Sequence, residues 1–204
     1  AGPPDRRRGR GPADAFARNA VKGRPGHRGT HLNRLLNLLR ALAPAHLRSV
    51  LRGIEKEGLR AGGDGQLALT PHPQGLGSAL THPHITTDFS ESQLELITGV
   101  HTTAQACEDE LIRIHQAVMR ELGDELMWGA SMSCRLPADD HDIPLGLYGH
   151  SNVGRSKTVY RNGLSHRYGR RMQTISGIHY NFSLPLDAWG ALQSAEQRAG
   201  SADA

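Results

Sequence analysis

The sequence has no apolar run near the ~18 residues that a membrane-crossing helix needs, which excludes an integral helical membrane protein. No short apolar stretch follows the basic start, so no secretory leader is expected. Cysteine is scarce. Cys107 and Cys134 alone cannot build a disulfide scaffold, and a reducing compartment is the expected setting. Apolar residues make up 37% of the 204, below the roughly 45–50% of ordinary globular domains. Part of the shortfall is irregular backbone, since 24 residues are Gly and 11 are Pro. The length fits one domain, or a domain with a tail. The chain opens with Ala rather than Met, which points to processing or to a fragment.

Charge is unevenly spread. Residues 1–50 hold 11 Lys and Arg against Asp5 and Asp14, a net of +9, while the remainder carries a net of −5. The overall +4 therefore averages a basic arm and a mildly acidic body. Residues 1–30 contain ten Gly or Pro and eight Lys or Arg, and they are expected to be a disordered basic extension. Such an arm could hold phosphate backbones or act as a transit peptide. Nucleic-acid binding ranks last among the functional readings, because only Phe16 supplies an aromatic to that arm.

Downstream, the periodicity becomes regular. Leu32, Leu35, Leu36, Leu39 and Leu42 share one helical face, read as ordinary core, and Pro44 stops or kinks that helix. Residues 53–70 read as a hairpin, with strand Ile54 to Leu59, turn 62–65 and a return over 66–70. Residues 71–83 are loop. QLELIT (93–98) is a strand, and 103–122 is the clearest helix, with Cys107, Leu111, Ile114, Val118 and Leu122 on one face. A helix is expected within 155–168 with Gly169 as its C-cap, a strand over 173–184, and a fraying tail over 191–204.

Glu55 and Glu57 sit two apart in a predicted strand, so both emerge on one face, roughly 6–7 Å apart. Lys56 points the other way and cannot neutralise them. A hard cation such as Mg²⁺ would. A lone Glu-x-Glu is more often a solvated strand face, and both readings stay open on spacing alone. Glu95 lies among Leu94, Leu96 and Ile97, where an acid needs water or a buried partner. His179 shares a strand face with Gly177 and Asn181, and the small Gly177 leaves room for something to approach. Three acids and a histidine on strands point to a polar sheet face built around metal. By contrast, GHSNVGRSKT (149–158) only imitates a phosphate-binding loop, because Arg155 stands where the motif needs Lys. The prolines between His72, His82 and His84 argue for a loop rather than a zinc site, and no base neighbours Cys134 in sequence.

Five segments in order carry a family resemblance: RGIEKEGLR (52–60), LGSALTHPHITTDFSESQLELIT (76–98), DELMWGASMSC (124–134), YGHSNVGRSKTVYRNGLSHRYG (148–169) and MQTISGIHYNFSLP (172–185). Together they resemble the proteobacterial type of glutamate–cysteine ligase, from about Leu32 to about Gln197. That family's chains are more than twice as long. The resemblance therefore implies an N-terminal part, with residues 31–204 belonging to the ligase catalytic domain. It implies an α+β fold, a curved and mainly antiparallel sheet forming part of a glutamine synthetase-like funnel with flanking helices. It also implies ATP-dependent joining of the γ-carboxylate of L-glutamate to the amino group of L-cysteine through a γ-glutamyl phosphate, the first step of glutathione synthesis. L-Glutamate, L-cysteine and ATP are the implied partners, Mg²⁺ the implied cofactor, and the cytoplasm the implied location, with no membrane association. The family's metal-binding acids fall on Glu55, Glu57 and Glu95, with His179 as a further ligand. Asp88, Phe89, Tyr160 and Arg161 fall where the family binds substrate, Arg161 as a carboxylate contact. No residue is assigned a catalytic role. Ser133 replaces a proline usual in the family. The alternative is a truncated fragment that binds Mg²⁺ or nucleotide without turnover.

Overall fold

The computed structural model describes residues 25–202, which fall into two compact units: residues 46–185, and the segments on either side of them. The expectation for residues 1–24 lies outside the described residues. Residues 25–30 are helical rather than disordered, because helix α1 (Pro25–Ala41) begins at Pro25. Proline suits a first helical turn, where its missing N–H has no partner to lose. A short helix α2 (Pro44–Arg48) follows, again opened by proline. Among the described residues, no helix is long and apolar enough to cross a membrane.

The central unit is built on β1 (Leu51–Ala61), the longest strand. On one side it pairs antiparallel with β3 (Gln93–Ile97), which pairs in turn with β2 (Ile85–Thr87). Its other side is shared. The short β4 (Leu126–Met127) takes Arg60 and Ala61, and β5 (Ile178–Ser183) takes Leu51 to Lys56. The sheet is mixed with helices, antiparallel throughout and not closed. The expected hairpin forms only its turn. Gly62 and Gly65 close it, with Gly65 at φ 78°, but 66–70 makes isolated bridges to Ala61 and Arg135 instead of a strand. That edge of β1 is shared with the start of β3: the Arg60 amide donates to the Ser92 carbonyl while the Arg60 carbonyl accepts the Ala68 amide. Moreover, the fully buried Arg60 guanidinium draws Thr70 inward through its hydroxyl and carbonyl.

Helix α3 (Ala104–Glu121) matches the apolar periodicity and starts at Thr103, whose side chain accepts from the Ala106 amide. It lays Ile114, Val118 and Leu122 on Leu94, Leu96, Ile85 and Leu76, forming the main core. A second core gathers Leu59, Ala61, Leu67, Cys134 and Ile143. Helix α4 (Asn152–Tyr168) starts three residues before the expected segment, capped by Ser151, and ends at Gly169 with φ 79°. Residues 170–173 then form a short helix α5 (Arg170–Gln173), so the last strand is shorter than its sequence pattern. Cis peptide bonds are absent among the described residues.

In the other unit, α1 packs along α6 (Leu186–Ala202), and Arg34 pairs with Glu196. The expected fraying from 191 is corrected here: the segment is rich in alanine, the best helix former, and stays helical. The leucine stripe is corrected too. Leu32, Leu35, Leu36 and Leu39 remain exposed rather than forming core.

Candidate functional site

Strand register brings distant residues onto one face of the central unit. Glu57 stands opposite Glu95 on β3, and Glu55 stands opposite His179 on β5. Glu55 and Glu57 share a face because strand side chains alternate, and antiparallel pairing places their partners on that same face. His179 bridges the acids, with Nδ1 3.8 Å from Glu55 and Nε2 3.7 Å from Glu57. It is the open member of the group, with its side chain 60% exposed.

Each acid is held differently. Glu57 accepts the Gly177 amide at 2.7 Å, and its own amide donates to the Gly177 carbonyl at 3.0 Å. A Cβ at residue 177 would stand 3.3 Å from the His179 ring, tighter than side chains normally pack, so glycine suits this turn. Gln93, fully buried on the same face as Glu95, donates to the Ser176 hydroxyl and steadies the turn from behind. Glu55 accepts from the Asn181 amide at 2.9 Å. Glu95 is half-buried with like charges around it. Burial first, then the carboxylates of Asp88, Glu55 and Glu57, push its pKa up to about 7. Glu57 is raised in the same direction, chiefly by burial and against the pull of the Gly177 amide. Lys56 faces the other way, and burial depresses its pKa.

Asp88 therefore belongs electrostatically with the acids. It reaches them because the loop 88–91 is stitched to 144–148. Gly146 donates to the Phe89 carbonyl, Ser90 to the Pro144 carbonyl, and Glu91 accepts the Leu147 amide. Arg161, from α4, donates through Nε to the Asp88 carbonyl. The remaining two expected substrate contacts differ in exposure. The Phe89 ring is buried, at 2% exposure. Tyr160 is 63% exposed on α4, and among the described residues no hydrogen bond or ring contact joins it to the acids. Sequence reading passed over two members of the constellation, Gln93 and Tyr148. Nothing in local spacing marks them, because each acts on residues far along the chain.

The donor set suits a hard divalent cation: several carboxylate oxygens crowd together, and no lysine or arginine is on their strands' shared face. It is not drawn into a finished cage. Among the described residues, no three His, Cys, Asp or Glu side chains already stand in ligand geometry around one point. Oxygens of Glu55 and Glu57 are instead engaged by Asn181 and Gly177. A cavity of about 300 Å³ opens beside Glu55, lined in part by Gly53, Ile97, Gly99, Asn181 and Phe182. The phosphate-loop imitation at 149–158 is spent internally. Ser151 caps α4 by accepting the Gly154 amide, and a Cβ at 154 would lie 2.3 Å from the Tyr148 carbonyl oxygen. Glycine is there for packing.

Comparison with known proteins gives one consistent picture. A model of the glutamate-cysteine ligase family matches residues 36–204. A glutamate–cysteine ligase of Alcanivorax borkumensis is 54% identical over 167 residues, 81% of this chain but 32% of that protein. One of Azotobacter vinelandii is 55% identical over 150 residues, 74% of this chain and 28% of the relative. The crystal structure of a glutamate–cysteine ligase of Francisella tularensis in complex with AMP superposes with a TM-score of 0.70 at 45% identity. It covers 73% of this chain and 30% of its own. A bifunctional glutathione synthetase of Pasteurella multocida gives a TM-score of 0.64 at 34% identity, covering 81% of this chain and 20% of its own. The chain thus spans about a third of the length of the curated relatives it matches.

Proposed function

Because this chain belongs to the glutamate–cysteine ligase family, we propose that it supplies the acid wall of an ATP-dependent ligase active site. The reaction joins the γ-carboxylate of L-glutamate to the amino group of L-cysteine, the first step of glutathione synthesis. A γ-carboxylate oxygen attacks the terminal phosphorus of ATP and ADP leaves. The cysteine nitrogen then attacks the resulting acyl phosphate, inorganic phosphate leaves, and the amine loses its proton. Positioning and charge neutralisation dominate such chemistry. The observation carrying this reading is the register that stacks Glu57 on Glu95 and Glu55 on His179, with Asp88 adding to the negative field.

Glu55, Glu57, Glu95 and His179 would hold Mg²⁺. When bound, the cation neutralises phosphoryl charge and orients the nucleotide. The protein's own contribution is to aim those carboxylates, in surroundings that hold Glu57 and Glu95 above the usual carboxylate pKa and so favour a cation beside them. The Gly177 amide fixes one Glu57 oxygen, and the Asn181 amide fixes one of Glu55. Arg161 is the cation available for a substrate carboxylate, and the Asp88 carboxylate would receive an ammonium group. Phe89 and Tyr160, next to Asp88 and Arg161 in sequence, would supply the remaining substrate contacts. ATP and reduced cysteine both belong to the cytoplasm, where we place the protein.

The test is phosphate release dependent on both glutamate and cysteine, in the wild type and in Glu95→Gln. The proposal expects release in the wild type and a large loss in the variant. Release without dependence on the amino acids would sink it. A second reading, a fragment that binds Mg²⁺ or nucleotide without turnover, draws on β5, all six of whose residues are exposed on an open sheet edge. Saturable Mg²⁺ binding without amino-acid-dependent phosphate release would favour it.

A further inference from the structure

We infer that Tyr148 is a positioning residue whose ring holds the Arg161 guanidinium beside the acid cluster. The inference rests on the ligase reading for what Arg161 meets there, a substrate carboxylate.

Arginine on a helix surface usually sweeps a wide arc of solvent. Arg161 does not. Its Cζ lies 4.5 Å from the centre of the Tyr148 ring, and Lys157, one turn earlier, brings Nζ to 5.1 Å from the same ring. An aromatic face attracts cations electrostatically, most strongly where water is excluded. Tyr148 is 4% exposed. Arg161 then spends Nε on the Asp88 carbonyl and Nη1 on the Lys157 carbonyl. Its Nη2 has no hydrogen-bond partner among the described residues, which leaves one edge of the fork for a ligand oxygen.

The other end of Tyr148 fixes the acid side. Its hydroxyl is directed at the carbonyl oxygens of Thr87 and Asp88, at 2.5 and 2.7 Å. Burial pushes the phenol's pKa well above its ordinary value, so it stays a donor. One side chain thereby sets both the cation and the backbone bearing Asp88. The packing around it is close. A Cβ at Gly146 would lie 3.0 Å from the tyrosine oxygen, and the Thr158 hydroxyl ties α4 to the Gly146 carbonyl at 3.0 Å.

The test is steady-state kinetics in a catalytically active chain carrying these residues, with Tyr148→Leu, Arg161→Ala and the double variant. The inference expects Tyr148→Leu to raise KM for an amino-acid substrate about tenfold, with KM for ATP unmoved. Tyr148→Phe, which keeps the ring, should restore most of it. The double variant should lose clearly less than the two single losses combined, the signature of residues acting through one another. Unchanged amino-acid KM, or additive losses in the double variant, would overturn the inference. Should Tyr148→Leu fail to fold, near-isosteric fluorinated phenylalanines at 148 replace it. Each fluorine weakens the negative ring face, so KM should climb stepwise, and a flat series overturns the inference. Exchange of the Arg161 Nε proton, read by NMR, needs no turnover. It should be slow in wild type and Tyr148→Phe and fast in the fluorinated series, and equal rates throughout would also overturn the inference. An inactive wild type counts against the ligase reading, and the NMR arm still decides the role of Tyr148.

Discussion

The two faces of the central sheet are made from neighbouring residues of the same strands, yet they obey opposite rules. Leu94 and Leu96 turn toward α3 and are fully buried with Ile114 and Val118. Glu95, between them, turns the other way, where burial first and then the neighbouring carboxylates raise its pKa to about 7. On the covered face the apolar contacts lower the free energy of folding. On the open face the chain keeps like charges together at a cost to its own stability, which is expected where a binding partner rather than the fold completes the interaction. One step along a strand separates a residue that packs the fold from one whose placement the packing does not explain.

That contrast can be broken in four ways. Leu96→Ala should destabilise the chain by roughly 3–5 kcal/mol through lost burial and the cavity left behind, read by denaturant unfolding. A cost below ~1 kcal/mol would mean the covered face is not a close-packed core. Glu95→Gln in an active chain should cost about 2.7–4 kcal/mol in the transition state, roughly 100- to 1000-fold in rate, the scale of one lost electrostatic contact. High Mg²⁺ should partly restore it. Unchanged turnover and unchanged Mg²⁺ dependence would remove Glu95 from the site.

The third test concerns pH. The folded-state pKa of Glu95 is raised above its unfolded value, so between about 4.5 and about 7 the folded chain binds the extra proton. Without cation, stability should fall as pH rises through that window and level off above it, by on the order of 1–2 kcal/mol after allowing for partial solvent screening. Glu95→Gln should flatten that part of the profile, and Mg²⁺ should stabilise the wild type more at pH 8 than at pH 5. A profile identical in wild type and variant would show that the acids do not feel one another. The smallest effect is at Lys56, on the covered face. Its burial disfavours the ammonium form, so Lys56→Met should change stability by less than about 1 kcal/mol, in the favourable direction at neutral pH. A clear loss would reveal an attractive partner for that ammonium.

Much of the candidate site was legible because alternation in a strand is a local rule. The phases of Glu55, Glu57, Glu95 and His179 follow from their own neighbours, and pairing then needs only the right register. The helix over 104–121 was legible for the same reason, with Thr103 marking its start. What failed depended on distant competition. The return strand after Gly65 shares its edge with the start of β3, where Ser92 takes the Arg60 amide, and the buried Arg60 side chain draws Thr70 away; the burial of Arg60 and the arrival of Ser92 are not legible in the hairpin's own residues. The leucine stripe of α1 has the period of a core helix, but period cannot say whether anything covers it. The tail beyond 191 looked unstructured because its residues are small, yet alanine's low entropy cost favours a helix once a neighbour is present. Tyr148 could not be found from sequence at all, since its partners sit some sixty positions earlier.

The central position of β1 also sets a clock. Its partners are synthesised in the order β3, β4, β5, and the last of them, at Ile178–Ser183, follows Lys56 by more than a hundred residues. At ribosomal speeds of about 5–20 residues per second, Glu55 and Glu57 wait on the order of ten seconds before His179 exists to face them. During that interval one side of β1 is an open edge, and the nascent chain must pass through it before the acid face is complete.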